Sequence, residues 1–254
     1  MKMRTHYIQL MAVIILAFSC DKKASGEDDS GSSTDKVVKG KVTDTQGRPI
    51  KGATILIDNT LIYNSYLTGS TGDDGTYRIK LFTGSWQAYA EMNVTYQGKT
   101  YKIDLHPDNA QGFGGDGAIR NFQWKLTGDK SVPLTGDYGG TIILDKQFGS
   151  SIYDSENIEF TLTPTGPLID GSTGQVIKMK HGQPSTNNYG KLVDIPIGYY
   201  TMTAVYQSST GNIPIKLRDK EHNRTGAFAS SIQLYFEPTT SYGYDMANVE
   251  YTEN

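Results

Sequence analysis

A single cysteine, Cys20, stands among 254 residues, so no disulfide can form within the chain and stability has to come from core burial. Histidine is scarce too. Beyond the first 20 residues there are only His106, His181 and His222, far apart and without the spacing of metal ligands. Their polar, turn-like neighbours predict three surface side chains. No Gly-x-Ser-x-Gly elbow, His-Glu-x-x-His helix, Cys-x-x-Cys pair or Walker loop occurs, and the expectation is a protein without enzymatic activity, metal or cofactor. Positive charge is not in excess: 24 basic against 27 acidic side chains give a formal charge of −3, which leaves no electrostatic case for nucleic acid. The apolar run at residues 8–18 has 11 residues, against roughly 20 needed to cross a bilayer as a helix. Long helical periodicity is also absent, while 28 glycines and 17 tyrosines favour β structure.

What the chain has begins at its first residues. Lys2 and Arg4 precede the apolar run, small Ser19 follows it, and Cys20 comes next, the pattern of a secretory signal over residues 1–19. Leu16-Ala17-Phe18-Ser19-Cys20 resembles the bacterial lipobox, although Phe18 is bulkier than the usual residue there. The resemblance implies cleavage before Cys20, lipidation of Cys20 and a lipid anchor in the bacterial outer membrane. Cleavage would remove Lys2 and Arg4, leaving 22 basic against 27 acidic side chains and a charge of −5. Residues 21–36, DKKASGEDDSGSSTDK, hold no large apolar side chain and read as a flexible linker with an end-to-end distance on the order of 20 Å. Their Glu27-Asp28-Asp29 looks like the charged stretch that follows the cysteine in cell-surface lipoproteins of some Gram-negative bacteria, and equally like an ordinary solvated linker.

From Val37 the pattern has period two. Val38, Gly40 and Val42 share one strand face, and Ala53, Ile55 and Ile57 share another. The turn between them runs through Gly47, suited to positive φ, and Pro49, suited to a strand entry. After a second turn at Asp73-Asp74-Gly75, Tyr77, Ile79 and Leu81 form an inward set. Past Gly84, Trp86, Ala88 and Ala90 do the same, with Ser85, Gln87 and Tyr89 facing out.

The stretches GKVTDTQGRPIKGATILI, DDGTYRIKL and GSWQAYA resemble the carboxypeptidase regulatory-like domain, a small transthyretin-like β-sandwich. Gly40, Asp44, Gly47, Pro49, Ile50, Gly52 and Ala53 carry the first match, Asp74, Gly75 and Tyr77 the second, and Gly84 and Ala90 the third. Trp86 stands where the family usually has a core tyrosine. The resemblance covers residues 37–90; the link at 61–72 is longer than usual, and 112–126 lies outside the signature. In the peptidases this domain is an accessory and the zinc chemistry sits elsewhere, so the resemblance speaks against peptidase activity.

Residues beyond 128 repeat some of these features. Ile195-x-x-Gly198 matches Leu81-x-x-Gly84, and Ala204 and Ala90 each follow their glycine by six residues. GNIPIKL from Gly211 parallels GKTYKIDL from Gly98, and GAFASSIQLYF from Gly226 parallels GAIRNFQWKL from Gly117. The expected fold is all-β: two tandem transthyretin/Ig-like β-sandwich domains at residues 37–127 and 136–254, joined through 127–135, after a signal peptide and a flexible tether at 20–36. Trp86 and Tyr200 are assigned to the two cores.

Glycine-rich residues 112–117, GFGGDG, lack the Lys-Ser/Thr and helix of a phosphate loop and read as a connection between strands. Asp73, Asp74 and Asp154 read as turn residues. Tyrosine remains. Tyr63, Tyr66, Tyr199, Tyr242 and Tyr244 fall outside the inward sets and are candidate ligand-contact residues, able to stack on sugars or pack on a partner. Two functions are therefore expected: a surface lipoprotein presenting an interaction or scaffolding module to an unknown surface protein, or a carbohydrate-binding accessory of a glycan-uptake system.

Overall fold

The computed structural model describes residues 36–130, 132–238 and 245–254. Cys20, the predicted signal and linker, Tyr242 and Tyr244 lie outside the described residues. Residues 35–254 form one compact unit enclosing its own core.

Alternation sets the strands. In the N-terminal half these are β1 (Val37–Thr43), β2 (Thr54–Asn59), β3 (Tyr66–Ser70), β4 (Thr76–Lys80), β5 (Ser85–Tyr96), β6 (Lys99–Asp104), β7 (His106–Pro107), β8 (Phe113–Gly114), β9 (Ala118–Ile119) and β10 (Phe122–Gln123). They build two sheets, β4-β1-β10-β7 with β9 beside β1, and β3-β2-β5-β6 with β8 beside β5. Ala53, Ile55 and Ile57 have no exposed surface, and Trp86, Ala88 and Ala90 are each 3% exposed, as the period-two reading expects. The layers interlock closely: a Cβ on Gly69 of β3 would stand 2.9 Å from Ile79 Cδ1 of β4. Turn chemistry fixes the registers. Asp44 Oδ1 accepts from the N–H groups of Gln46 and Arg48 at 2.9 and 2.8 Å, and Gly47 takes a φ of 81°. The stretch 112–117, expected as a connection, holds the two-residue β8, which pairs with β5 through Phe113 and Gly114; only 115–117 connects it to β9.

The C-terminal half comprises β11 (Gly140–Lys146), β12 (Ile158–Pro164), β13 (Ile177–Met179), β14 (Lys191–Ile195), β15 (Tyr200–Ser208), β16 (Gly211–Asp219), β17 (Ile232–Leu234) and β18 (Met246–Thr252). They follow one path, β13-β12-β15-β16-β18-β11-β14, with β17 beside β15. The pairing scheme of the first half recurs. β11 joins β14 antiparallel and β18 parallel, as β1 joins β4 and β10; β12 joins β13 and β15, as β2 joins β3 and β5. Phe160 of β12 meets Tyr251 of β18 edge-on, with ring centroids 6.4 Å apart, across the buried layer. The fold is all-β, and among the described residues the one helical segment is a short 3-10 turn, Ser155–Asn157.

Among the described residues no strand pairing crosses between the halves. They meet through side chains. Tyr101, 1% exposed, donates its hydroxyl to Phe236 O at 2.7 Å, and Tyr96 donates to Pro167 O at 2.7 Å. Gly128 N donates to both carboxylate oxygens of Asp194 at 2.8 Å, so the stretch between the halves is bonded to the second one.

One expectation needs correction. His181 is 4% exposed, its Nε2 lying 3.0 Å from Ser155 Oγ and its Nδ1 2.7 Å from Gly182 O. The polar residues after it do not hold it in solvent, because they fold back as a loop closed by Gly182 N donating to Asn188 O at 2.9 Å. His222 is exposed, as expected, although its ring nitrogens lie 2.8 Å from Asp219 and 2.6 Å from Glu237.

Candidate functional site

On the outer face of the β3-β2-β5-β6 sheet, residues that alternate with the core line an open groove of about 350 Å³. Leu56 and Asp58 of β2, Tyr66 of β3, and Tyr89 and Glu91 of β5 all contribute to it. Register brings them together: Asp58 pairs with Tyr66 and Leu56 with Tyr89. Lys102 and Asp104 of β6 close one side, and Leu134, from the stretch joining the halves, adds an apolar wall. This volume lies within the roughly 300–1,000 Å³ of ordinary ligand clefts.

The groove has an aromatic floor and an ionic rim. Lys102 Nζ lies 2.8 Å from Glu91, and Lys130 Nζ lies 2.7 Å from Asp104. Burial, with the negative charge of Asp58 and the nearby Tyr66, pushes the Tyr89 hydroxyl above its ordinary pKa. It stays protonated at neutral pH, able to donate and to accept. Rings that offer a flat face beside carboxylates and an ammonium group suit a ligand that is apolar on one face and hydroxylated at its edges.

A second groove, of about 500 Å³, crosses the other sheet and is lined by Lys41, Thr43, His106, Asp108, Asn121 and Gln123 around Phe122. Its polar groups mostly bind one another, Asn121 Nδ2 donating to Asp108 at 2.7 Å, and its one phenyl ring, Phe122, is 2% exposed. His106 Nδ1 sits 3.1 Å from the Tyr138 hydroxyl, which burial first and Asp104 second push up to about 12.

The predicted tyrosines separate. Tyr66, 49% exposed, lines the first groove; Tyr63 is fully exposed on the β2–β3 loop and does not line it. Tyr199 is half-buried where the halves meet: its ring stacks on Tyr235 at 5.1 Å and meets Tyr96 of the first half at 5.9 Å. Tyr235 also stacks on His222 at 4.1 Å and lies under Lys99 Nζ at 5.2 Å, while Lys99 and His222 each lie 2.6 Å from Glu237. Tyr199 is therefore part of an inter-half stack. Tyr89 was absent from the predicted contact residues although alternation placed it outward; its partner across the sheet supplies the missing signal.

No family model matches this chain, and no curated protein matches it. Among solved structures it is similar to the Bacillus anthracis TIE protein, at 13% identity over 84% of this chain and 34% of that one, with a TM-score of 0.32. This chain thus spans about a third of that protein's length. It is also similar to the shaft pilin SpaA from Lactobacillus rhamnosus GG, at 11% identity over 85% and 96% of the two chains, TM-score 0.23. A DUF3823 family protein from Bacteroides ovatus aligns at 10% identity over 78% and 98%, TM-score 0.23. Likeness at this level adds no weight to any functional reading.

Proposed function

We propose that this protein is a non-enzymatic lipoprotein, anchored through Cys20 at the bacterial outer membrane, that presents a rigid interaction or scaffolding module at the cell surface. Its halves, at residues 37–127 and 136–254, act as tandem sandwiches of the carboxypeptidase regulatory-like type. The observation that supports this reading is the junction between them. Tyr101 and Tyr96 reach across it to Phe236 O and Pro167 O, and the Lys99–Glu237 ion pair adds to them, so the distance between the two far ends is held. A scaffold requires that constancy more than it requires a cleft. The anchor is tested by Cys20→Ala: the variant should leave the membrane fraction, and retention equal to wild type would sink the lipidation reading. A partner is sought by pull-down from native membranes.

A second reading, a glycan-binding accessory of an uptake system, is favoured by one observation, the groove that pairs Tyr66 and Tyr89 with Asp58, Glu91 and Lys102. Residues 35–254 on a glycan array should then bind a polysaccharide class. Tyr66→Ala and Tyr89→Ala should weaken binding at least as strongly as Tyr63→Ala, Tyr199→Ala or the pair Tyr242→Ala and Tyr244→Ala. Stability should change by only about 0.5 kcal/mol at exposed Tyr66. An array without signal removes this reading.

A further inference from the structure

Two loops at one end of the N-terminal half carry apolar side chains that the fold leaves uncovered. In the β2–β3 loop Leu61 is 75% exposed, Ile62 59% and Tyr63 100%; in the β4–β5 loop Phe82 is 65% exposed. Hydrogen bonds build the first of these loops. Asn59 Oδ1 accepts from Leu61 N at 3.0 Å and Asn59 O from Ile62 N at 3.2 Å. Thr60 ties the loop to β5, its N–H donating to Ser85 O at 3.0 Å and its hydroxyl to Ser85 Oγ at 2.8 Å. Trp86 Nε1 donates to Phe82 O at 3.2 Å, fixing the second loop beside the first. Three consecutive apolar side chains held outward by a bonded turn, with a phenyl ring in the adjoining loop, form the kind of exposed patch that marks a contact with a partner or a membrane.

In the C-terminal half the corresponding connection, between β12 and β13, is covered by the N-terminal half, with Pro167 O accepting from Tyr96 and Asp170 accepting from Thr45 at 2.6 Å. In the N-terminal half the same end faces the side from which the chain arrives: Leu81 N donates to Lys36 O at 2.7 Å and Val37 pairs with Lys80. Fifteen residues lie between Cys20 and Lys36 in the sequence. Exposed Lys36 and Lys80 stand at this end.

We infer that this end docks on a lipid bilayer. Leu61, Ile62, Tyr63 and Phe82 enter the boundary between headgroups and acyl chains, and Lys36 and Lys80 meet headgroup phosphates. The inference rests on the lipid-anchor reading only for bringing this end to a membrane; the chemistry of the patch is independent of Cys20.

The test uses residues 35–254, the compact unit without leader or Cys20, sedimented with phosphatidylethanolamine/phosphatidylglycerol vesicles at high lipid concentration. Wild type should bind, and the triple variant Leu61→Ser, Ile62→Ser, Tyr63→Ser should bind at least about tenfold more weakly with an unchanged thermal midpoint. Lys36→Gln with Lys80→Gln should weaken binding severalfold, and only where phosphatidylglycerol is present. No binding by wild type, or equal binding by the triple variant, overturns the inference. A dimer that the triple variant abolishes, without vesicle binding, overturns it in favour of self-association. Fractionation of full-length Cys20→Ala reports on the anchor separately, so the failure of one reading is distinguishable from the failure of the other.

Discussion

In the N-terminal half the strand after β5 stops at Asp104 and resumes at His106, changing sheets at buried Leu105. In the C-terminal half β16 runs unbroken from Gly211 to Asp219 and makes the same change between Ile215 and Lys216. The first version yields two separate sheets, the second a single continuous path. Pro107 sits in β7, which pairs with β10 over two residues, whereas β16 carries Pro214 opposite Val205 and stays unbroken, so a missing N–H does not by itself account for the difference. The halves therefore share a scheme of pairing and differ at the crossing from one sheet to the other. Their ends differ more. The β12–β13 connection is consumed by the junction, whereas the β2–β3 loop presents Leu61, Ile62 and Tyr63 to solvent. One scaffold thus supports two uses of the same end, and the loops decide which.

The largest expected effect tests whether each half owns its core. Phe160→Ala should cost about 3–5 kcal/mol and Ile55→Ala about 2–5 kcal/mol, since both side chains are fully buried. Under the tandem reading, amide exchange should rise mainly in the half that carries the substitution. Equal loss of protection in both halves would show one cooperative core instead.

A smaller effect sharpens the equivalence of Trp86 and Tyr200. Each ring packs against the glycine two residues earlier, Gly84 or Gly198, and each donates to a carbonyl four residues earlier: Trp86 to Phe82 O, Tyr200 to Pro196 O at 2.7 Å. Tyr200→Phe should cost about 1 kcal/mol through the lost bond, and Trp86→Phe somewhat more because ring volume is lost as well. Denaturant titration measures both; a neutral result at either position would break the correspondence.

The smallest effect concerns the junction. Burial alone would lower the pKa of His222, but its bonds to Glu237 and Asp219 outweigh burial and raise it above 6.5. A raised pKa means that the stabilisation is complete below the ordinary value and is lost as pH rises through the folded value. Thermal midpoints measured from about pH 6 to about pH 9 should fall by the equivalent of about 0.5 kcal/mol more in wild type than in His222→Gln. Parallel curves would remove His222 from the junction's energetics.

Much of the core was legible because period two is a local property. Val38 and Val42, Ile55 and Ile57, Ala88 and Ala90, and Tyr200, Met202 and Ala204 all alternate in sequence and are all buried. The candidate groove was half legible. Tyr66 and Tyr89 both stand outside the inward sets, but nothing local says that β2 lies between their strands and brings them together. His181 misled because its burial depends on a loop that closes over it, and Tyr199 misled because alternation reports the face of one sheet and not what packs on that face.

The sequence by itself determined an all-β chain, its turns at Gly47 and Gly75, and the inward face of most strands, because a pleated backbone alternates its side chains and positive φ favours glycine. Only the tertiary structure decided which outward faces meet. The Tyr199–Tyr235–His222 stack, the Tyr66–Tyr89 groove and the uncovered end at Leu61–Tyr63 each depend on contacts between segments far apart in the chain, and no local pattern encodes such distances.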